Sequence, residues 1–164
     1  MFWSFTRTLF SGIVLLYLQV LVMPGLAIGG LIPNLFLGWL VYQVWNKPIN
    51  FLLPIVFILG LCYDLTMPTL LGLQTLLLVI LAIGVDEFHR PLEKDSYITM
   101  LLTLGLAVLV YAILITVVYG VLSGFDLRLF VSFLGMILYN LVVSIVVAGI
   151  FFFISRLRLD IYHG

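Results

Sequence analysis

The stretch GLCYDLTMPTLLG, residues 60–72, sets one carboxylate, Asp64, among Leu, Cys, Tyr and Met, with no Lys or Arg within ten residues on either side. Three other polar residues stand in similarly apolar surroundings: Asn34 directly after Pro33, Asn140 within a long apolar run, and Ser144 one helical turn beyond it. The chemistry open to them is narrow. Acid–base or nucleophilic catalysis needs partners within hydrogen-bond reach. Asp64 has no His or Ser near it in sequence, and the topology argued below puts His89 and His163 on the opposite side of a membrane. The single cysteine, Cys62, allows neither an intrachain disulfide nor a thiolate cluster. No hydrolase, phosphate-loop or metal-ligand spacing appears. The expectation is a chain that is not an enzyme and that carries no cofactor and no metal.

Hydrogen bonding is what remains for Asp64. Thr66 and Pro68 read as the N-terminal boundary of the next helix, whose free N–H groups and positive dipole end suit a carboxylate. Asp64 would then tie the turn between the third and fourth helices. The competing reading is a partner or ligand contact at the outer surface. Asn34 lies 14 residues before the turn at Pro48 and Asp64 lies 16 after it, so in antiparallel helices their depths match. The two side chains are expected to hydrogen-bond if they face each other. The same count places Asp64 shallow, near the outer end of its helix.

The elements that must hold these groups are apolar. The chain has 164 residues, 65% of them hydrophobic and only 9% charged, with a mean hydropathy of +1.34. A soluble domain carries about a quarter charged residues. The chain therefore reads as an all-α integral membrane protein, and its net charge of zero argues against nucleic acid. Breakers and charges predict six transmembrane helices within one membrane domain over 1–164: about 8–23, 31–46, 50–67, 69–85, 97–122 and 129–154. The first run is expected to be a retained helix rather than a cleaved signal. With six spans, Arg7, Lys47, Arg90, Lys94, Arg156 and Arg158 fall on one side and Arg128 alone on the other. By the positive-inside rule both termini are cytoplasmic. A four-span reading, with merged helices and internal prolines, spoils that asymmetry.

Ser132, Met136, Asn140, Ser144 and Ala148 are spaced by four and form one mostly small or polar stripe, which predicts an interhelical packing seam. Gln19, Gln43 and Gln74 are single amides expected to bond neighbouring helices. Gly60, Gly72 and Gly84 suit close packing. The loop DEFHRPLEKDS, 86–96, reads as a solvated turn in which Asp95 or Ser96 caps the fifth helix. Trp3, Trp39 and Trp45 fit a membrane-interface role in part.

These features resemble the family of bacterial rod shape-determining proteins called MreD. The resemblance covers roughly residues 8–158 and rests on the length, the six short spans and a core segment. In that segment Pro33-Asn34 opens the second helix, Gly60 and Asp64 close the third, and Leu71-Gly72 opens the fourth. Phe88 and Arg90 after the fourth helix and Asn140 in the sixth also match. The resemblance implies a fold similar to the substrate-binding subunits of energy-coupling-factor vitamin transporters. It implies a multi-pass protein of the bacterial cytoplasmic (inner) membrane that acts as a non-enzymatic scaffold in cell-wall elongation and the regulation of cell shape. The implied partners are MreC, a RodA-type glycosyltransferase with a class B penicillin-binding transpeptidase, the MreB filament indirectly, and membrane lipid. The alternative is a solute-binding subunit of an energy-coupling-factor type transporter, with Asn34 and Asp64 in an outward-facing pocket. Pro33, Asn34, Gly60, Asp64, Gly72, Arg90, Asn140 and Ser144 are the structural or partner-contact candidates.

Overall fold

The computed structural model describes residues 2–66, 70–90 and 97–162. Six α-helices follow one another: α1 Phe2–Leu21, α2 Leu35–Asn46, α3 Ile49–Asp64, α4 Leu73–His89, α5 Tyr97–Ser123 and α6 Leu127–Tyr162. A 3-10 turn, Met23–Leu26, and a bridge between Ile28 and Leu31 connect α1 to α2. Pro68, Lys94, Asp95 and Ser96 lie outside the described residues, as does His163.

Local chemistry sets the breaks. Pro48 forces the residue before it out of the helical region, and Lys47 is extended at φ −141°, ψ 147°, which ends α2. Pro48 then serves as the N-cap of α3. Gly72 takes φ +92° immediately before α4, and Gly124 takes φ +90° between α5 and α6, a region that glycine enters without a Cβ penalty. Asp126 then accepts from the Leu127 amide at 2.6 Å as α6 begins.

The helices alternate in direction. Along α1 and α2, Thr8 meets Lys47, Ser11 meets Trp39 and Gln19 meets the Leu35 amide, so the two are antiparallel. Along α2 and α6, Asn34 meets Asn140, Gly38 meets Ser144 and Tyr42 meets Phe151, so these two run parallel. Both ends of the described chain therefore lie at the end of the bundle that carries Lys47.

Among the described residues three stretches, Trp3–Leu21, Ile98–Ser123 and Leu127–Ile154, are long and apolar enough to cross a membrane. The other three helices are shorter. With 12 residues α2 measures only about 18 Å, against about 40 Å for the 27 residues of α5. Nine of the twelve residues of α2 are buried, so α2 is the core around which the others pack. Trp39 is one of them; its indole N–H donates to Ser11 Oγ inside the bundle, which corrects the interface role expected for it. The fourth helix starts at Leu73 rather than near Thr69, and Thr66 bonds back to the Tyr63 carbonyl instead of opening it.

Candidate functional site: a polar knot shared by six helices

Two helices begin inside the bundle, and a helix start leaves backbone N–H groups that need partners where water is scarce. At the start of α2 three side chains supply them. Asn140 Oδ1 accepts from the Asn34 amide at 2.7 Å, Gln19 Oε1 from the Leu35 amide at 2.8 Å, and Asn34's own Oδ1 from the Phe36 amide at 2.9 Å. At the start of α4 one carboxylate does the same work. Asp64 Oδ1 accepts from the Gln74 amide at 2.9 Å, and its Oδ2 accepts from the Thr75 amide at 2.9 Å and from the Thr75 hydroxyl at 2.5 Å. Asp64 therefore ties the α3–α4 connection, as its sequence position suggested, but through Gln74 and Thr75.

The two caps are joined. Asn34 Nδ2 donates to Tyr111 Oη at 3.1 Å and to Gln74 Oε1 at 3.4 Å, and Gln74 Nε2 donates to Tyr111 Oη at 3.3 Å. Gln19 Nε2 closes the other side by donating to the Pro33 carbonyl at 2.9 Å and to Tyr63 Oη at 3.3 Å. One connected set of polar groups thus draws on Gln19 of α1, Asn34 at the head of α2, Tyr63 and Asp64 of α3, Gln74 and Thr75 of α4, Tyr111 of α5 and Asn140 of α6. Asn34, Asp64 and Asn140 are only 2–3% exposed.

The geometry corrects two expectations. Asn34 and Asp64 share a partner, Gln74, rather than a direct bond. The knot also lies deep. Asn140 is 13 residues into α6 and Tyr111 is 12 residues before the end of α5, which sets both about 18–20 Å from the α5–α6 turn. Counting inward from loops fails here because α2 does not start at the surface; it starts level with Asn140, 13 residues into the 36 of α6.

Close packing locks the knot in place. A Cβ on Gly38 would come within 2.4 Å of the Ser144 carbonyl oxygen, and one on Gly60 within 2.7 Å of Thr75 Cα. The stripe of α6 is therefore the seam against α2, with Ser144 and Ala148 buried and Met136 accepting from Asn140 Nδ2 at 3.0 Å. Ser144 Oγ and Gln43 Oε1 are buried without a hydrogen-bond partner in the structure. Gln19 and Gln74 bond neighbouring helices as expected. Gly72 opens α4 through its positive φ, whereas Gly84 has open space around it. Arg90 stands apart from the knot: it is exposed and pairs with Asp86 at 2.8 Å and Glu87 at 3.1 Å. Its hydrogen bond to Asp86, with the charge of Glu87, raises its pKa above the ordinary arginine value. Thr75 and Tyr111 carry the knot but were not singled out by sequence reasoning; the signals were a hydroxyl in the first turn of α4 and a hydroxyl in the middle of the apolar α5.

The family described as rod shape-determining protein MreD matches residues 3–158. The chain belongs to that family. Its matched span reaches into all six helices and takes in every residue of the knot. Neither the curated proteins nor the solved structures compared with it give a match. Family membership assigns a role in rod shape determination, and the three long apolar helices agree with a membrane protein.

Proposed function

We propose that this chain is a non-enzymatic scaffold of the cell-wall elongation complex, a six-span protein of the bacterial inner membrane with both termini in the cytoplasm. One observation carries the reading: the helices spend their amides and carboxylate on one another, so the knot is a fastening and not a set of free ligand groups. Recognition is then left to the apolar outer faces of α1, α5 and α6 and to the short loops. In a bilayer such faces associate with partner helices through van der Waals packing. MreC is the partner best suited to this, as a chain whose own extramembrane parts do the reaching. The RodA-type glycosyltransferase and its class B transpeptidase join through the same assembly, and MreB indirectly.

The test is capture of the tagged protein from its native membrane in a mild detergent, with mass spectrometry of what accompanies it. MreC and the elongation synthases are the expected companions. Recovery of ATP-binding-cassette subunits in their place would contradict the scaffold and favour a solute-uptake subunit.

A further inference from the structure

The long helices α5 and α6 outrun the rest of the bundle at the end opposite Lys47. The apolar stretch of α1 has 19 residues, about 28 Å, which matches a hydrocarbon layer of about 30 Å. It stops at Leu21, two residues beyond Gln19 and so about 3 Å past the knot. α2 and α4 begin at the knot, and α3 ends there. α5 and α6 run on to their turn, about 15 Å beyond the end of α1. Their apolar stretches of 26 and 28 residues measure about 39 and 42 Å, and a tilt of about 20° takes off only about 2–3 Å. The last turns of this hairpin therefore stand past the hydrocarbon that α1 spans. They are apolar all the same: Val121, Leu122, Phe125, Leu127, Phe130 and Val131 are 58–75% exposed, and none of residues 121–128 is buried. The tip has a fixed shape, because Gly124 takes φ +90° and a Cβ on Gly120 would strike the Phe125 ring. The α1–α2 connection meets α6 lower down, at Tyr139, whose hydroxyl donates to the Leu26 carbonyl at 2.6 Å, and at Gly135, against Leu31.

We propose that this tip docks a membrane-anchored partner whose transmembrane helix continues as a helix beyond the bilayer, lying along the hairpin from the hydrocarbon outward. Level selects the occupant. Acyl chains end where the hydrocarbon ends, so lipid leaves the apolar side chains of the tip facing headgroups and water. A second copy related by a two-fold axis along the membrane normal presents the same residues at the same depth, which brings the exposed Arg128 towards its own counterpart. A helix that runs on past the bilayer covers the tip with its own apolar face. The site deepens the scaffold reading and rests on it, by naming which part of the partner meets which part of this chain.

The test is site-specific photocrosslinking of the full chain in its native membrane. A benzophenone amino acid replaces Leu122 or Phe130 in the tip, or Phe57 on the exposed face of α3, and the adducts are mapped by mass spectrometry. Both tip positions are expected to join residues that directly follow a membrane span of the partner, and Phe57 is not. Leu127→Ser combined with Val131→Ser should lower capture of MreC by about tenfold while leaving the unfolding free energy unchanged. Tip adducts to lipid alone, to a second copy of this chain or to no protein overturn the proposal. Equal crosslinking from Phe57 overturns it too, as does undiminished capture by the double variant. Capture of MreC and the synthases without tip adducts removes the docking site and leaves the scaffold standing. Tip adducts to the span-flanking helix of a chain outside cell-wall elongation keep the site and remove the scaffold.

Discussion

The helices α2 and α6 run side by side in the same direction and are built in opposite ways. α2 is 12 residues long and buried over most of its surface. α6 has 36 residues, and none of residues 127–139 is buried. A helix long enough to reach both membrane surfaces satisfies its own backbone within the apolar layer and can be apolar throughout. A helix that starts halfway has to be met by side chains from its neighbours. The knot's polar residues therefore gather at the two helix starts inside the bundle, and the long helices α1, α5 and α6 contribute one group each, Gln19, Tyr111 and Asn140, that reaches those starts. The contrast separates fastening from surface: the short helices fix the fold, and the long ones supply much of the exposed apolar surface.

Substitutions can break that contrast, and their expected effects differ in size. Asp64→Ala removes the acceptor for three donors at the head of α4 and should cost about 2–4 kcal/mol of stability, read by equilibrium unfolding in bicelles. Asp64→Asn keeps an acceptor and should cost less. Next come the close approaches. Gly38→Ala and Gly60→Ala each press a methyl group on backbone of the facing helix and should cost about 1–3 kcal/mol. Asn140→Ala leaves the Asn34 amide without its partner and should cost about 1 kcal/mol, within the range of single polar contacts between membrane helices. Leu138→Ala, on the exposed face of α6, should change stability by under about 0.5 kcal/mol. An effect there as large as that of Asn140→Ala would show that this face is packed rather than free, and would sharpen the search for what covers it.

Much of this was legible in the sequence. Prolines and charges marked six helices, Pro33-Asn34 marked the start of α2, and an unpaired carboxylate near a helix junction marked Asp64 as a cap. The spacing of Ser132, Met136, Asn140, Ser144 and Ala148 announced the seam before its partner, Gly38, was known. How far the start of α2 and Asp64 lie from the end of the bundle was not legible. Sequence distance from a loop measures depth only when every helix starts at the surface, and the segment from Met23 to Pro33 carries the chain back into the bundle before α2 begins. The membership of Tyr111 and Thr75 was hidden for a related reason: a lone hydroxyl acquires its meaning from whichever helix starts happen to lie level with it.

The central claim is that the knot fastens the fold and does not serve as a contact for ligand or partner. The most direct measurement compares the unfolding free energies of wild type, Asp64→Ala and Leu138→Ala in the same bicelles, alongside capture of the proposed partner, MreC, by each. The expected result is a loss of about 2–4 kcal/mol for Asp64→Ala, with MreC still captured by the fraction that remains folded. A folded, undiminished Asp64→Ala protein that no longer captures its partner would contradict the claim, because Asp64 would then be a contact and not a fastening.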